Sequence, residues 1–391
     1  MKNIKENLKK NKTLILLITG ITLIGLGSKW NMIEKYGSTV HYHDAWGGDA
    51  TQGIIPYLEN KLSIKDLFWE PHCEHRIGIT RLCSIIITLM NGQWDNKVKT
   101  SLFALVHILF FILIIIKYRS VLIEKFAWML PLIVIFCVTC PSSFENTLNS
   151  FQIQFYVNLI TSFTIIHYLT KDILKKHQFY ILIITIFISI FNMSSTIFPL
   201  TSVILFNIYL LSKEKKFSKT IIRNFLICAP LLFFSIYAIN HVEAHEKLTA
   251  KGVFQYVQML SEILAFPFGS KTILLNFFFL LIFNLPIFLY LWLFVFGRYD
   301  FKKIQNNKNT ICLIICFLLQ IITICYARNS YSIPSRYYDI FMVLIVLNCI
   351  CIKHLHIDLN FLKNNFLVML WFVLISLGFT KRYLKNDQTM M

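Results

Sequence analysis

Charge is scarce in this chain. Only 15% of its 391 residues are Asp, Glu, Lys or Arg, where soluble domains carry roughly a quarter. So few charges cannot coat a soluble globule when 56% of the residues are hydrophobic and mean hydropathy is +0.61. Acid is the scarcer sign, 20 residues against 38 Lys and Arg, for a formal net charge of +18. That surplus sits in short segments between apolar runs, where it sets topology and meets anionic headgroups. There is no basic stripe and no nucleic-acid module, so no nucleic-acid partner is expected. A framework of paired extracellular cysteines is also missing. Most of the ten cysteines, among them Cys137, Cys312, Cys316, Cys325, Cys349 and Cys351, lie inside apolar runs and act as small apolar side chains. Cys73, in a polar segment, is the exception. No soluble domain, internal repeat or low-complexity linker interrupts residues 1–391, which read as one integral-membrane domain.

What is abundant is apolar helix-forming sequence, with 36 Phe among many Ile and Leu. The composition is that of an all-α polytopic membrane protein. The basic MKNIKENLKKNK precedes an apolar run from about Thr13 to Leu26 that ends in GLGSKW without a small-x-small cleavage site. This predicts an uncleaved first helix with a cytoplasmic N-terminus. Further apolar runs centre near residues 109, 133, 161, 185, 204, 231, 284, 318, 345 and 371. Residues 77–91 (IGITRLCSIIITLMN) are short for a core of about 30 Å and carry Arg81. If they span, KYRSVLIEK (117–125) falls outside. If they lie along the interface, that segment falls inside together with KDILKKH (171–177), SKEKKFSKTIIR (212–223) and GRYDFKKIQNNK (297–308), as the positive-inside rule asks. The expectation is therefore about eleven spans, with 77–91 an interfacial helix in the first external loop, about 30–99. TKRYLK near the C-terminus then lies outside, a mild violation.

On this topology four polar segments share the external face. The first, HYHDAWGGDA, places Asp44 shortly after the first span, where a carboxylate can serve as general base toward an acceptor hydroxyl. The plainer alternative is a solvated loop aspartate, more so for Asp49. The second, EPHCEHRIGITR, is expected to start a helix after Pro71. His72, Glu74 and His75 can orient a sugar and its phosphate, and Arg76 can neutralise phosphate charge. A divalent metal is the competing use, with His41, His43 and Asp49 as weak candidate ligands, although no established zinc spacing is present. Internal salt bridges of an interfacial helix are the bland reading. The third, FENTLNSFQIQFY (144–156), sets Glu145, Asn146, Gln152 and Gln154 at the start of an apolar helix, where polar groups line cavities or simply mark the interface. The fourth, ARNSYSIPSRYYD (327–339), offers Arg328 and Arg336 beside Tyr331, Tyr337 and Tyr338, with Arg336 the favoured phosphate ligand. Snorkelling at the headgroups explains one such arginine more easily than the set. HVEAHEKLTAKG (241–252) is a candidate acceptor-facing loop.

Together DAWGGDA, PHCEHRI, FENTLNSFQIQFY and SRYYD resemble the GT-C superfamily of integral-membrane glycosyltransferases, and within it the bacterial and phage serotype-converting O-antigen glucosyltransferases. The resemblance covers most of the chain as architecture and these four segments as motif. Cys73 departs from it, standing where a polar residue such as Asn is expected. The resemblance implies a GT-C-like bundle in the bacterial inner membrane, its long first extracytoplasmic loop holding interfacial helices and a catalytic carboxylate. It implies inverting transfer of a sugar, glucose first, from a polyprenyl-phosphate donor to a polysaccharide such as lipopolysaccharide O-antigen. Asp44 and Glu74 become the catalytic candidates, and His72, His75, Arg76, Glu145, Gln152, Arg336 and Tyr337 the substrate and phosphate ligands. No cofactor is assigned, and a divalent metal stays an open possibility. A donor synthase and a flippase would be functional partners. Three other classes stay open. A lipid-linked-glycan flippase or transporter should carry ionisable residues near mid-membrane. An O-acyltransferase should carry catalytic His or Arg within the spans or on the cytoplasmic side, yet His107 and His167 lack an evident charged partner. A polysaccharide polymerase or ligase usually has its long loop late in the chain.

Overall fold

The computed structural model describes residues 2–123, 126–215, 217–270, 272–296, 301–329, 333–358 and 365–390. The chain is an all-α membrane protein: helices dominate, and the one sheet among the described residues is a two-stranded hairpin. Each of the apolar runs forms helix. Among the described residues eight helices are long and apolar enough to cross a membrane: Lys12–Tyr36, Asn96–Lys117, Met129–Leu148, Lys219–Tyr237, Ile273–Val295, Ile304–Ala327, Ser335–Leu355 and Asn365–Lys385. The runs near 161, 185 and 204 fall in the shorter helices Ile153–Leu169, Lys176–Ile190 and Ile197–Glu214. Apolar side chains left bare on the outside, such as Leu226, Phe233 and Leu274, are what acyl chains would cover.

Inside the bundle, several polar residues pair with one another, since hydrocarbon offers them no other partner. Asn158 Nδ2 donates to Gln320 Oε1 at 3.0 Å, and Asn348 Nδ2 to Asn284 Oδ1 at 3.2 Å. Pro286 lies within Ile273–Val295 and breaks its hydrogen-bond ladder. The next amide, that of Ile287, donates instead to Asn348 Oδ1 at 3.1 Å. Ser335–Leu355, the most enclosed of the eight, is 83% buried over its apolar window and forms the centre of the bundle.

The first loop is a compact layer on one end of the bundle. It comprises the wide turns Trp46–Ile54, the short helix Ile64–Trp69, a hairpin pairing Pro71–His72 with His75–Arg76, and the 14-residue helix Gly78–Asn91. At 1.5 Å per residue that last helix is about 21 Å long, too short for the hydrocarbon core. It buries Gly78, Arg81, Ser84 and Ile85 while Ile86, Leu89 and Met90 stay exposed. The expected helix start after Pro71 is corrected here. Cys73 takes a left-handed φ of 51°, the chain reverses as a hairpin, and helix begins only at Gly78. Asn is the side chain best suited to that conformation.

Two buried cations hold the layer. Arg81 is fully buried; its Nε donates to Gly48 O at 3.2 Å and its Nη1 to Glu70 O at 2.9 Å, with longer contacts to Asp66 O and Leu67 O. Its Nη2 donates to Gln52 Oε1. Lys99, 1% exposed, donates to Asp49 Oδ2 at 2.7 Å and touches Ser84 and His41. Removing Arg81 takes the donor from the buried Gly48 carbonyl and from three partly buried ones; a buried acceptor left unsatisfied costs about 1–3 kcal/mol. Arg81→Met is therefore expected to lower stability by on the order of 3 kcal/mol or more. Arg81→Lys should not restore it, since one ammonium cannot reach acceptors spread around a planar fork. Thermal melting of the detergent-purified variants, with proteolysis between residues 46 and 76, checks this. Wild-type behaviour in Arg81→Lys contradicts it.

Candidate active site

Between the loop layer and the bundle opens a cleft of about 300 Å³. Asp44 contributes from the turn ahead of Trp46–Ile54, and His72, Cys73, Glu74 and His75 from the hairpin. Gln152 and Gln154 come from the start of Ile153–Leu169, His245 from the 241–252 loop, and Arg328, Arg336 and Tyr337 from either side of the 327–339 segment. Segments up to nearly 300 residues apart in sequence thus meet at one opening. Close packing fixes the near wall. A Cβ on Gly48 would stand 2.5 Å from Phe151 and 2.9 Å from Ile77, so only glycine fits there.

Glu74 is committed. One of its carboxylate oxygens contacts His245 Nδ1 and lies 3.1 Å from Arg328 Nη2. Burial raises its pKa, but the His245 hydrogen bond, a backbone amide and the Arg328 charge outweigh this and leave it at about 2. Asn240 clamps the turn, its backbone and side-chain amides donating to Glu74 O at 3.0 Å and Cys73 O at 3.1 Å. The histidines behave oppositely. Burial pushes His75 down to about 4, with Glu74 opposing and Arg328 reinforcing, and burial lowers His72 against the opposing charge of Asp44. Both rings are neutral at physiological pH, and His72 Nε2 and His75 Nδ1 are buried with no partner inside the protein. Such atoms are expected to meet water or a ligand. Burial, followed by the charges of Glu74 and Asp44, raises the Cys73 thiol pKa, so it stays a thiol. Asp44 is exposed and makes no hydrogen bond or ion pair with another described residue.

Arg336, on the far wall, is joined through its Nη1 to Glu145 Oε2 at 3.3 Å; Glu145, expected as a substrate ligand, holds that arginine and does not itself line the cleft. Glu145 Oε1 also accepts from the Ser335 amide and hydroxyl, both at 3.0 Å. Behind them lies a buried polar knot. Asn146 Nδ2 donates to Arg336 O at 2.8 Å and to Asp339 Oδ2 at 2.7 Å, and Ser143 Oγ donates to Asp339 Oδ1 at 2.8 Å. His107 Nε2 lies 3.2 Å from the same oxygen, both residues fully buried. His107 therefore does have an acidic partner, which the sequence reading missed because Asp339 is more than two hundred positions away.

Not every expected ligand reaches the cleft. Arg76 points the other way: its Nε donates to Ala238 O at 3.1 Å, its Nη1 to Trp69 O, and its guanidinium lies over the Trp69 ring. His41 is buried, stacked on Trp94 at 3.8 Å, and held at a pKa of about 3 by burial and by Lys99. Asp49 is bound to Lys99, whose ammonium occupies the place between His41 and Asp49 that a cation would take. His43 lies outside the cleft lining. These three do not form a ligand set. The group among the described residues with metal-ligand donors in reach is Cys73, Glu74 and His245, within 4.8 Å of one another. Glu74 already bridges His245 and Arg328, and the guanidinium opposes a second cation. Arg328, passed over for Arg336, and His245, in the 241–252 loop, are cleft residues that the sequence does not single out. Their signal was an ionisable residue type in a polar segment between apolar runs, without a partner to give it weight. Comparison with known proteins finds no matching family model, no similar curated protein and no similar solved structure.

The lowered histidines make stability pH-dependent. Between the ordinary histidine pKa near 6.5 and the folded values of about 4 for His75 and about 3 for His41, the unfolded chain binds more protons than the folded one. Stability must then fall as pH falls through that window. Glu74 does not contribute to that early loss. Its folded pKa of about 2 lies below the ordinary 4.5, so its stabilisation persists until pH drops below the latter. Melting temperatures of the purified protein should decline from pH 7 to pH 4.5, and less steeply in His75→Gln and His41→Gln. A variant as steep as the parent contradicts the assignment.

Proposed function

We propose that the chain is an inverting membrane glycosyltransferase of the GT-C kind. It would move a sugar, glucose by resemblance, from a polyprenyl-phosphate donor to a cell-surface polysaccharide such as lipopolysaccharide O-antigen. The observation that carries this reading is the charge inventory of the cleft: among the described residues one uncommitted carboxylate, Asp44, shares it with two arginines and two neutral histidines. Asp44 takes the proton of the acceptor hydroxyl as its oxygen attacks the anomeric carbon. The bond to the polyprenyl phosphate breaks, and Arg336 and Arg328 donate to the phosphate oxygens as charge develops. His72 and His75 supply neutral donors or acceptors to the sugar. Double displacement needs a second free carboxylate as nucleophile. Glu74 and Glu145 are each tied to an arginine, so a single inverting displacement fits better. Glu74 becomes a positioning residue, holding His245 and Arg328.

In this reading the chain has eleven spans in a bacterial inner membrane, with a cytoplasmic N-terminus and the cleft outside. The cleft residues sit at the helix ends that the positive-inside rule puts outside. A donor synthase and a flippase would supply the lipid-linked sugar. A transporter is the second reading, favoured by the burial of Lys29, His107 and Asp339 inside the bundle. Transfer is preferred because Asp339 is held by Ser143, Asn146 and His107 and secures Arg336 through Asn146.

Asp44→Asn, Arg336→Ala and Glu74→Gln, expressed at matched membrane levels, test the roles through glycosylation of the surface polysaccharide. Asp44→Asn is expected to lose on the order of a hundredfold or more in transfer. Arg336→Ala should be strongly impaired, and Glu74→Gln should retain a measurable fraction. Full activity in Asp44→Asn removes the base assignment.

A further inference from the structure

A second cleft, of about 230 Å³, lies at the opposite end of the bundle. The two openings share helices. Gln154 and Arg328 line the first, whereas Leu169 and Lys308, at the far ends of Ile153–Leu169 and Phe301–Ala327, line the second. At 1.5 Å per residue they are separated by roughly 20–30 Å, so they are distinct sites.

The lining of this second cleft has a definite chemistry. Asn207 interrupts the apolar helix Ile197–Glu214 and is 3% exposed, and its Nδ2 is buried without a partner in the protein. An amide in that state, on the wall of a cavity, is a donor awaiting an acceptor. Asn224, Gln305 and Thr220 join it on the lining with Phe206. Asn224 Nδ2 donates to Leu169 O at 3.1 Å, Gln305 Oε1 accepts from Lys308 at 3.4 Å and Thr220 Oγ1 donates to Asp172 O at 3.4 Å. This leaves the Gln305 amide N–H groups and the Thr220 oxygen lone pairs for a ligand. Lys308, the cation among the described lining residues, is already paired with Asp172. The nearby Arg223 spends its donors on Leu169 O, Lys171 O, Asp172 O and Asn224 Oδ1. The site is thus rich in amides and hydroxyls and has no net charge to offer. A phosphate would find no free cation there, whereas a sugar hydroxyl, both donor and acceptor, matches amide and hydroxyl partners. The two helices that flank the cleft carry exposed apolar side chains, Ile208 and Leu226 among them, along which an alkyl tail can lie.

We propose that this cleft binds the uncharged, hydroxyl-rich head of an amphiphile, a glycoside on an alkyl tail. The site does not depend on the reading of the first cleft. The test uses the full chain in phosphatidylcholine nanodiscs, with octyl β-glucoside, glucose and octyl phosphate as probes below their micellar concentrations. Binding is followed by native mass spectrometry. Octyl glucoside should bind saturably, glucose more weakly, and octyl phosphate should not displace it. Asn207→Leu is expected to weaken octyl glucoside about tenfold, the worth of one buried hydrogen bond. Thr220→Val should weaken it in the same direction, and Arg336→Ala, in the first cleft, should leave it unchanged. Thr220→Val decides alone if Asn207→Leu does not fold. Absence of saturable binding, displacement by octyl phosphate, loss in Arg336→Ala, or parental binding in the folded cleft variants overturns the proposal.

Discussion

The Arg81 guanidinium is the constraint on which the loop layer depends. A cation with no exposed surface must find its solvation inside the protein, and here backbone carbonyls supply it: those of Gly48, Asp66, Leu67 and Glu70. Burial lowers its pKa to about 10, which still leaves it charged at neutral pH. Because these acceptors belong to different turns, satisfying one charge fixes the relative positions of Trp46–Ile54, Ile64–Trp69 and the hairpin. None of these pieces is long enough to be stable alone. The placement of Asp44 and of His72–His75 follows from that fixation.

The far wall of the cleft is anchored by a charge of the opposite sign. Asp339, fully buried, gathers Ser143 and Asn146, and through Asn146 it holds the backbone of Arg336. Lys29, on the first helix, joins the knot through Thr147 at 3.0 Å. Each wall of the opening is thus tied to a buried ion whose own solvation is internal, so the polar groups of the cleft are held in place before any ligand arrives. Salt pairs divide the cleft's ionisable residues further. Glu74 inside the cleft and Glu145 beside it hold their arginines, and Asp44 has no partner among the described residues.

The fold was legible because its signal is local. Apolar runs announced the helices, and the shortness of 77–91, with Arg81 in it, marked a helix unlike the rest. Convergence of the four polar segments was legible in outline through topology alone. The detail was not, because it depends on contacts between distant positions. Arg76 and Arg81 read alike in sequence, yet one lies against Trp69 and the other organises the loop. Asp49 and Asp44 differ by five positions, and what separates them is Lys99, which only the packing of Asn96–Lys117 brings to Asp49. Cys73 turned the expected helix start into a hairpin through one backbone angle. His245 and Arg328 gained significance only through Glu74, which no local pattern links to either.

The central claim is that the cleft transfers a sugar from a lipid phosphate. Its most direct test is to reconstitute the purified chain in liposomes with polyprenyl-phosphate glucose labelled in the sugar and add a candidate O-antigen polysaccharide. The account predicts label in the polysaccharide, as a glucosyl unit of inverted anomeric configuration, with release of polyprenyl phosphate in equal amount. Movement of intact labelled lipid between leaflets, with no label reaching any acceptor polysaccharide tried, would contradict it.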